Sequence, residues 1–295
     1  MPLALAIQAM GTRFELVLPG LDPVSERAAG EAALEAIAEW DARLSLFRRD
    51  SLIALVNREA AGRAVALDAE TFELLELCAR IWRESSGVFD AALGGHMARH
   101  GFRAQDATAD EVCGFQAVEL DRAASTVSLR SPGAQLDLGG IAKGFALDKA
   151  VDVLRAAGIE RALVHGGTST VIGLGAPPDQ EGWQIALDRG PNAPLAVLRD
   201  AALSVSAQHG RRNERGEGHV LDPRSGAPVE RNDVAAVIAP SGSLADPWST
   251  ALLVAGELPG SAAAQGVAGF VGFGAPEQRS WRRTGASGPF RLPAA

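Results

Sequence analysis

The chain has 295 residues, of which 47% are hydrophobic, and a formal net charge of −8. This length and apolar content suffice to bury a large core and exclude a disordered chain. The acidic balance argues against a broad surface for nucleic acid or anionic membrane. The two cysteines, Cys78 and Cys113, lack CxxC spacing, so we interpret both as ordinary buried or half-buried thiols.

The N-terminus shows no targeting signal. Residues 1–10 lack a basic segment, and their apolar run is broken by Gln8 and then by Gly11. No stretch reaches about 18 apolar residues, the length that spans a bilayer. We therefore expect no membrane span and a cytoplasmic protein, or a periplasmic protein if a leader has been removed.

Hydrophobic periodicity predicts interleaved strands and helices. Residues 3–8 and 13–18 are predicted to form a hairpin, followed by helices at 25–42 and 68–85. Asp68 is the predicted N-cap of the second helix, and Gly87–Asp90 is a predicted loop. Further strands are predicted at 126–130, 161–165, 169–174, 183–188, 195–199, 202–206 and 233–239, and further helices at 144–157 and 246–256. This order has no regular βαβ period, so it predicts an α+β fold with mixed sheets.

The chain has two lysines, Lys143 and Lys149, which lie close together in sequence. All other residues counted among its lysines and arginines are arginine. Three glycines occur in the same segment: Gly139, Gly140 and Gly144. Such a turn before a helix favours an anion site made of helix N–H groups and the Lys143 ammonium, with glycines that let the backbone approach the ligand. The alternative is a turn that only allows tight helix–sheet packing. Lys149 is expected on a solvated helix face.

A histidine opens the segment His219–Gly226, in which Asp222 and the following proline predict a turn. An imidazole can serve as a base near neutral pH. The alternative is a histidine at a strand end that is held by a backbone carbonyl.

Asp246 and Thr250 are four residues apart, so on a helix they share a face. Asp246 followed by Pro247 fits a helix N-cap and a first helical residue. The same two side chains fit a hard cation such as Mg²⁺, which prefers oxygen ligands. The residues themselves leave both interpretations open.

Six short segments, taken in order, resemble one family. They are Met10-Gly-Thr, Leu44-Ser-Leu-Phe47, Gly87-Val-Phe-Asp90, Asp137-Leu-Gly-Gly-Ile-Ala-Lys-Gly144, His219-Val-Leu-Asp-Pro-Arg-Ser-Gly226 and Ala245-Asp-Pro-Trp-Ser-Thr-Ala-Leu252. Over about residues 5–256 the chain is similar to the FAD:protein FMN transferases, the ApbE family. The resemblance implies an ApbE-like fold, with residues 1–295 as one compact two-lobed domain.

The resemblance also implies an activity. Members of the family use Mg²⁺ to cleave the pyrophosphate of their substrate FAD, and they attach FMN through a phosphoester to a Ser or Thr of an acceptor flavoprotein. Two alternatives remain open: an FAD pyrophosphatase that releases FMN and AMP, and a flavin-binding protein without catalysis. An acceptor motif Asp-x-Ser/Thr-Gly-Ala does not occur in this chain, so the acceptor is expected to be another protein.

Particular residues gain roles from the resemblance. The metal is expected to bind the carbonyl oxygen of Gly140 and the side chains of Asp246 and Thr250, and His219 is the implied base for the attacking hydroxyl. The residues expected to contact FAD are Met10, Phe47, Val88, Phe89, Asp90, Asp137, Lys143 and Leu221.

The chain departs from the family pattern at several positions. It contains no tyrosine, so Phe47 and Phe145 keep the aromatic face but lose the phenolic hydrogen bond. Ala91-Ala92, Thr168 and Ala207 also replace the residues usual in the family. These changes concern the acceptor side and the balance of transfer to hydrolysis, whereas the metal and phosphate segments are better preserved.

Overall fold

The structure of the protein is a computed structural model that describes residues 2–103, 114–188, 193–208, 212–230, 233–275 and 278–291. Cys78 is buried, and Cys113 lies outside the described residues. Two compact units make up the chain. The first comprises Met1–Asp41, Ile141–Ser206 and Asn232–Ala295, and the second comprises Ala42–Gly140 and Ala207–Arg231. The assignment of residues 1–295 to a single domain stays a prediction.

Strands and helices follow one another irregularly along the chain. The strands are β1 (Leu3–Ala9), β2 (Thr12–Leu18), β3 (Val65–Ala66), β4 (Val118–Asp121), β5 (Thr126–Leu129), β6 (Ala162–Gly166), β7 (Thr170–Leu174), β8 (Trp183–Ala186), β9 (Leu195–Leu198), β10 (Ala201–Ala207), β11 (Leu221–Asp222), β12 (Ala227–Pro228), β13 (Val234–Ala239), β14 (Ala268–Phe273), β15 (Ser280–Gly285) and β16 (Phe290–Arg291). The helices are α1 (Pro23–Leu44), α2 (Leu52–Glu59), α3 (Ala69–Glu84), α4 (Gly94–Arg99), α5 (Ala142–Ala156), α6 (Gly242–Ala255) and α7 (Gly260–Ala264). The predicted α+β class is confirmed. In the part of the chain that the structure describes, none of the helices has the length and apolar character needed to cross a bilayer.

An eight-stranded sheet forms the centre of the first unit, in the order β1-β2-β6-β7-β10-β13-β14-β15. The predicted hairpin β1–β2 turns at Met10 and Gly11, whose φ angles are 48° and 71°. Two successive positive φ angles are what a two-residue hairpin turn requires. Met10 therefore lies at the end of the sheet, in a backbone conformation that non-glycine residues rarely adopt.

The two faces of this sheet have different partners, because successive residues of a strand point to opposite faces. On one face, Val171, Leu203 and Phe270 form a buried core with the small sheet β16-β9-β8. On the other face, Ser204 points to Asp246 of α6. Helices α5 and α6 pack on this second face, so the Asp246 carboxylate lies between the sheet and helix α6.

The second unit contains α2, α3 and α4, the antiparallel sheet β3-β5-β4 and the hairpin β11–β12. Asp68 is the N-cap of α3 and accepts a hydrogen bond from the backbone nitrogen of Thr71 at 3.0 Å. This cap and the loop Gly87–Asp90 after the helix are confirmed.

The predicted start of α6 is wrong. The helix begins at Gly242 rather than at residue 246, so Asp246 and Pro247 lie inside it and Asp246 is not its N-cap. The carboxylate of Asp148, on α5, accepts hydrogen bonds from the backbone nitrogens of Gly242 and Ser243 at 2.7 and 2.8 Å. A cap supplied by a residue distant in sequence lets the helix start a turn earlier than local signals indicate.

Candidate active site

Asp246 is a buried carboxylate of the first unit and has four hydrogen-bond donors around it. Its side chain is 4% exposed. Oδ2 accepts from the backbone nitrogen of Gly144 at 3.2 Å and from Nζ of Lys143 at 3.5 Å. Oδ1 accepts from the hydroxyls of Ser204 at 3.1 Å and Thr170 at 3.5 Å. Burial of a charged group requires such compensation.

Hydroxyl groups surround this carboxylate. Ser206 Oγ lies 2.7 Å from Ser249 Oγ and 3.4 Å from Thr250 Oγ1. The Ser249 and Thr250 hydroxyls both donate to the backbone carbonyl of Asp246, at 2.8 and 3.4 Å. Hydroxyls of strands β7 and β10 therefore reach the Asp246 carboxylate, whereas the hydroxyls of helix α6 reach its backbone carbonyl. Thr250 lies one turn after Asp246, as predicted.

The oxygen atoms of Asp246 and of the hydroxyls near it are of the kind that bind a hard cation. Within the described ranges, no group of three or more His, Cys, Asp and Glu side chains is arranged to hold a metal ion. A cation here would therefore have one carboxylate and would use hydroxyl, carbonyl or substrate oxygens for its other positions. Mg²⁺ is usually bound in this way, through one or two carboxylates together with substrate phosphates.

The predicted anion site at the start of α5 already holds an anion from the chain itself. Lys143 and the N–H of Gly144 face the Asp246 carboxylate. A Cβ on Gly144 would overlap the carbonyl oxygen of Gly242, so this glycine allows α5 and α6 to meet backbone to backbone. The predicted role of Gly144 in ligand approach is therefore wrong, and it serves tight packing of helix on helix instead.

Lys149 does not lie on a freely solvated face. Its Nζ lies 5.1 Å from the ring centroid of Phe145 and 6.0 Å from that of Trp40. These two rings pack edge to face with centroids 4.7 Å apart. The ammonium therefore makes a cation–π contact that helps to fix α5 against α1.

In the second unit, Asp90 is held by backbone N–H groups. Its carboxylate accepts hydrogen bonds from the backbone nitrogens of Ala92 at 2.7 Å and Phe115 at 2.9 Å. Burial outweighs these hydrogen bonds and raises the pKa of Asp90 to about 6. The neighbouring Val88 and Phe89 are buried. The loop expected to line the nucleotide is thus firmly anchored.

Asp137 joins this loop to the turn that ends at Gly140. Its backbone nitrogen donates to the carbonyl of Ala91 at 2.7 Å. Its carboxylate pairs with Arg103 and accepts the backbone N–H of Gly139 at 3.0 Å. Gly140 is the last residue of the 3-10 turn Leu138–Gly140. The second unit therefore brings Asp137, the Asp90 loop and the Gly140 turn together.

His219 and Leu221 lie in the other segment of the second unit. Leu221 is buried at the start of β11, and His219 is half-buried two residues earlier. The predicted turn after them is confirmed, because the backbone nitrogen of Gly226 donates to the carbonyl of Asp222 at 2.8 Å. Phe47 is also in this unit, with 79% of its surface exposed.

A second histidine holds the His219 segment. His100 Nδ1 lies 3.1 Å from the Glu217 carboxylate, and its Nε2 lies 2.9 Å from the carbonyl oxygen of Gly226. These two contacts tie His100 to a residue just before His219 and to the turn after Leu221. The hydrogen bond from His100 is the main cause that lowers the pKa of Glu217.

The expected site residues therefore fall in both units. Met10, Lys143, Asp246 and Thr250 belong to the first unit, and Phe47, Val88, Phe89, Asp90, Asp137, Gly140, His219 and Leu221 belong to the second. Sequence analysis predicted the Thr250 hydroxyl but not the other hydroxyls near Asp246, which belong to Thr170, Ser204, Ser206 and Ser249. The spacing of Ser204 and Ser206 in a predicted strand is the one local signal for them, because residues two apart share a face.

Comparison with known proteins gives consistent matches. The ApbE family profile matches residues 10–270. A protein named FAD:protein FMN transferase from Treponema pallidum is 32% identical over 286 residues, covering 83% of this chain and 78% of the relative. One of the same name from Rhodobacter capsulatus is 33% identical over 264 residues, covering 79% of this chain and 49% of the relative.

Solved structures share the fold. The ApbE protein of Thermotoga maritima has a TM-score of 0.82 at 24% identity, over 96% of this chain and 97% of that one. The apo flavinyl transferase ApbE of Pseudomonas stutzeri has a TM-score of 0.77 at 27% identity, over 96% and 95%. The similarity therefore extends over nearly the whole length of the chains compared.

Proposed function

The chain belongs to the ApbE family, and on this basis we propose that it is an FAD:protein FMN transferase that requires Mg²⁺. Its substrate is FAD, and its partner is an acceptor flavoprotein that receives FMN on a Ser or Thr hydroxyl. The cytoplasmic location expected from the N-terminus stays a prediction.

One observation carries the proposal beyond family membership: a buried carboxylate, an ammonium and a cluster of hydroxyls lie together. Asp246 and Thr250 would hold the cation from helix α6, and the carbonyl of Gly140 is the third expected ligand. Lys143, which faces Asp246 at 3.5 Å, is near enough to contact a diphosphate that binds at the same cation. Phosphoryl transfer depends mainly on such positioning and charge compensation.

The proposed reaction has a simple balance. The acceptor hydroxyl oxygen forms a bond to the phosphorus of the FMN half, the P–O bond to the AMP half breaks, and AMP leaves. His219 takes the proton of the attacking hydroxyl, as a general base. A bound Mg²⁺ would reduce the negative charge on the diphosphate during this exchange.

The remaining expected contacts serve to bind FAD. Met10 in the hairpin turn, the anchored loop of Val88, Phe89 and Asp90, and Leu221 beside the base are the proposed lining of the flavin and nucleotide. Phe47 is exposed, and we assign its ring to a stacking contact with FAD. The carboxylate of Asp137 already accepts the backbone N–H of Gly139, so we assign Asp137 to shaping of the pocket.

The experiment that tests this function uses FAD, MgCl₂ and a purified acceptor domain carrying the motif Asp-x-Ser/Thr-Gly-Ala. The expected result is an acceptor whose mass rises by one FMN phosphoester, together with an equal amount of AMP, and no product in EDTA. Rapid release of FMN and AMP without any acceptor would instead establish a pyrophosphatase. FAD that binds tightly but stays intact with Mg²⁺ would establish a carrier without catalysis.

A further inference from the structure

Helices α5 and α6 cap each other in a reciprocal arrangement. Gly144 of α5 lies against Gly242 of α6, and each glycine is followed four residues later by an aspartate. Asp246 accepts the N–H of Gly144 at 3.2 Å, and Asp148 accepts the N–H of Gly242 at 2.7 Å. The same four-residue step thus links glycine and carboxylate in both helices.

We propose that Asp148 is a positioning residue for FMN transfer, which fixes the first turn of α6 and thereby the position of Asp246 one turn later. This inference rests on the proposed function, because that function assigns Asp246 to the cation. Asp148 itself does not touch Asp246 in this scheme and acts through the helix between them.

The first turn of α6 depends on Asp148. The first N–H groups of a helix have no partner within the helix, and the N-cap residue Ser241 makes no side-chain capping bond. Asp148 supplies the missing acceptors with both oxygens: Oδ1 accepts from the backbone nitrogen of Gly242, and Oδ2 accepts from the backbone nitrogen and the hydroxyl of Ser243. A single carboxylate therefore satisfies three donors of this turn.

The contact between the two glycines leaves little freedom to compensate for a lost cap. A Cβ on Gly144 would overlap the Gly242 carbonyl, and a Cβ on Gly242 would overlap the Gly144 carbonyl. The backbones are therefore as close as they can be, and a shift of α6 also moves Asp246 away from the Gly144 N–H. Displacements of about 1 Å at a reacting centre can cost about 10²-fold in rate.

The test compares Asp148→Asn with Asp152→Asn, a substitution of the same type one turn further along α5 at an exposed position. Asparagine keeps the volume, but its NH₂ group would face one of the N–H donors, so one side of the cap is lost. Mg²⁺ affinity is measured by calorimetry without FAD, at a temperature where circular dichroism shows both variants folded. The Mg²⁺ dependence of FAD cleavage and the affinity for FAD are measured in parallel.

Asp148→Asn is expected to weaken Mg²⁺ binding by about 10-fold or more, the usual effect of removing a group that orients a metal ligand. The affinity for FAD measured in EDTA should stay near that of the parent, and Asp152→Asn should change neither quantity. A folded Asp148→Asn protein with the parent's Mg²⁺ affinity would overturn the proposal, whatever its melting temperature.

A milder variant covers the case in which Asp148→Asn does not fold. Ser243→Ala removes one of the three donors and leaves both backbone bonds, so it should weaken Mg²⁺ binding by a smaller factor in the same direction. Unchanged Mg²⁺ binding in Ser243→Ala would then count against the proposal. A parent protein that neither binds Mg²⁺ nor cleaves FAD would refute the proposed function itself. If the parent is active and both Asp148→Asn and Ser243→Ala keep its Mg²⁺ affinity, only the role of Asp148 is refuted.

Discussion

The ammonium of Lys143 and the carboxylate of Asp246 lie 3.5 Å apart, and the Lys143 side chain is only 21% exposed. The lysine segment predicts an anion beside this ammonium, and in the structure Asp246 is such an anion. A cation that binds Asp246 therefore meets a positive charge already present. Binding of a diphosphate would draw the ammonium away, so cation and substrate should favour each other's binding.

Lys143→Met should slow Mg²⁺-dependent FAD cleavage and at the same time strengthen Mg²⁺ binding in the absence of FAD. The second effect follows because a positive charge near the carboxylate is removed, and its expected size is on the order of 10-fold. Calorimetry with MgCl₂ and an assay of AMP release measure the two quantities. Lys149→Met is the matched control: it should cost about 0.5–1 kcal/mol of stability through the lost cation–π contact and leave Mg²⁺ binding unchanged. Equal behaviour of the two variants would remove any special role of Lys143.

His219→Ala should lower FMN transfer by roughly 10²–10⁴-fold while FAD and Mg²⁺ binding persist, because a general base acts on the attacking hydroxyl and not on the bound ligands. Transfer is followed by the mass of the acceptor, and FAD binding by quenching of flavin fluorescence. His165→Gln, a substitution of the half-buried histidine on β6, is the control and should transfer at nearly the parent rate. A His219→Ala protein that unfolds or no longer binds FAD would assign this histidine to structure.

The structure also explains which predictions from sequence succeed. The helix α3 and its cap are predicted correctly because the capping hydrogen bond joins Asp68 and Thr71, which are three residues apart. Such a short separation is visible as a motif in the sequence. The start of α6 is missed because its cap, Asp148, is 94 residues away from Gly242. No strand is predicted at β14 because Gly269 and Gly272 interrupt its apolar run.

In the candidate site, too, features set by residues close in sequence are predicted and those set by distant residues are missed. The family inferred from six motifs is confirmed by the profile match and by relatives above 30% identity. The helical spacing of Asp246 and Thr250 is local and is confirmed. The contacts of Asp246 with Thr170 and Ser204 join residues 76 and 42 positions apart, so no local pattern could indicate them.

Asp90 should make the protein less stable as the pH rises. Its folded pKa of about 6 lies above its ordinary value of 3.8 because burial disfavours the charged carboxylate. The folded state thus binds the proton more tightly, so this contribution to stability is complete below about pH 4 and is lost as the pH passes through about 6. The loss amounts to at most about 3 kcal/mol.

Urea unfolding of the parent and of Asp90→Asn, at about pH 4 and about pH 7, measures this effect. The variant should show a smaller fall in unfolding free energy between the two pH values. Asp152→Asn is the control, and its unfolding free energy should fall by the same amount as that of the parent. A fall of equal size in the parent and in Asp90→Asn would show that Asp90 does not titrate in this range.

Gly144→Ala should destabilise the first unit by about 1–3 kcal/mol, because the added methyl group must push α5 and α6 apart. Gly260→Ala is the control, since a Cβ there meets no atom within 4 Å, and it should be neutral or slightly stabilising. Thermal unfolding of the two variants measures the difference. A Gly144→Ala protein as stable as the parent would contradict the close approach of the helices.

The central claim, that Asp246 holds the cation on which FAD cleavage depends, is tested most directly by Asp246→Asn. Because Asp246 is not the N-cap of α6, the substitution leaves that cap intact and keeps one oxygen for the N–H of Gly144. We expect a protein that circular dichroism shows to be folded at the assay temperature, less stable than the parent because an NH₂ group replaces an oxygen that accepts hydrogen bonds. It should show no Mg²⁺-dependent release of AMP from FAD. An Asp246→Asn protein that cleaves FAD at the parent's rate at modest Mg²⁺ concentration would contradict the claim.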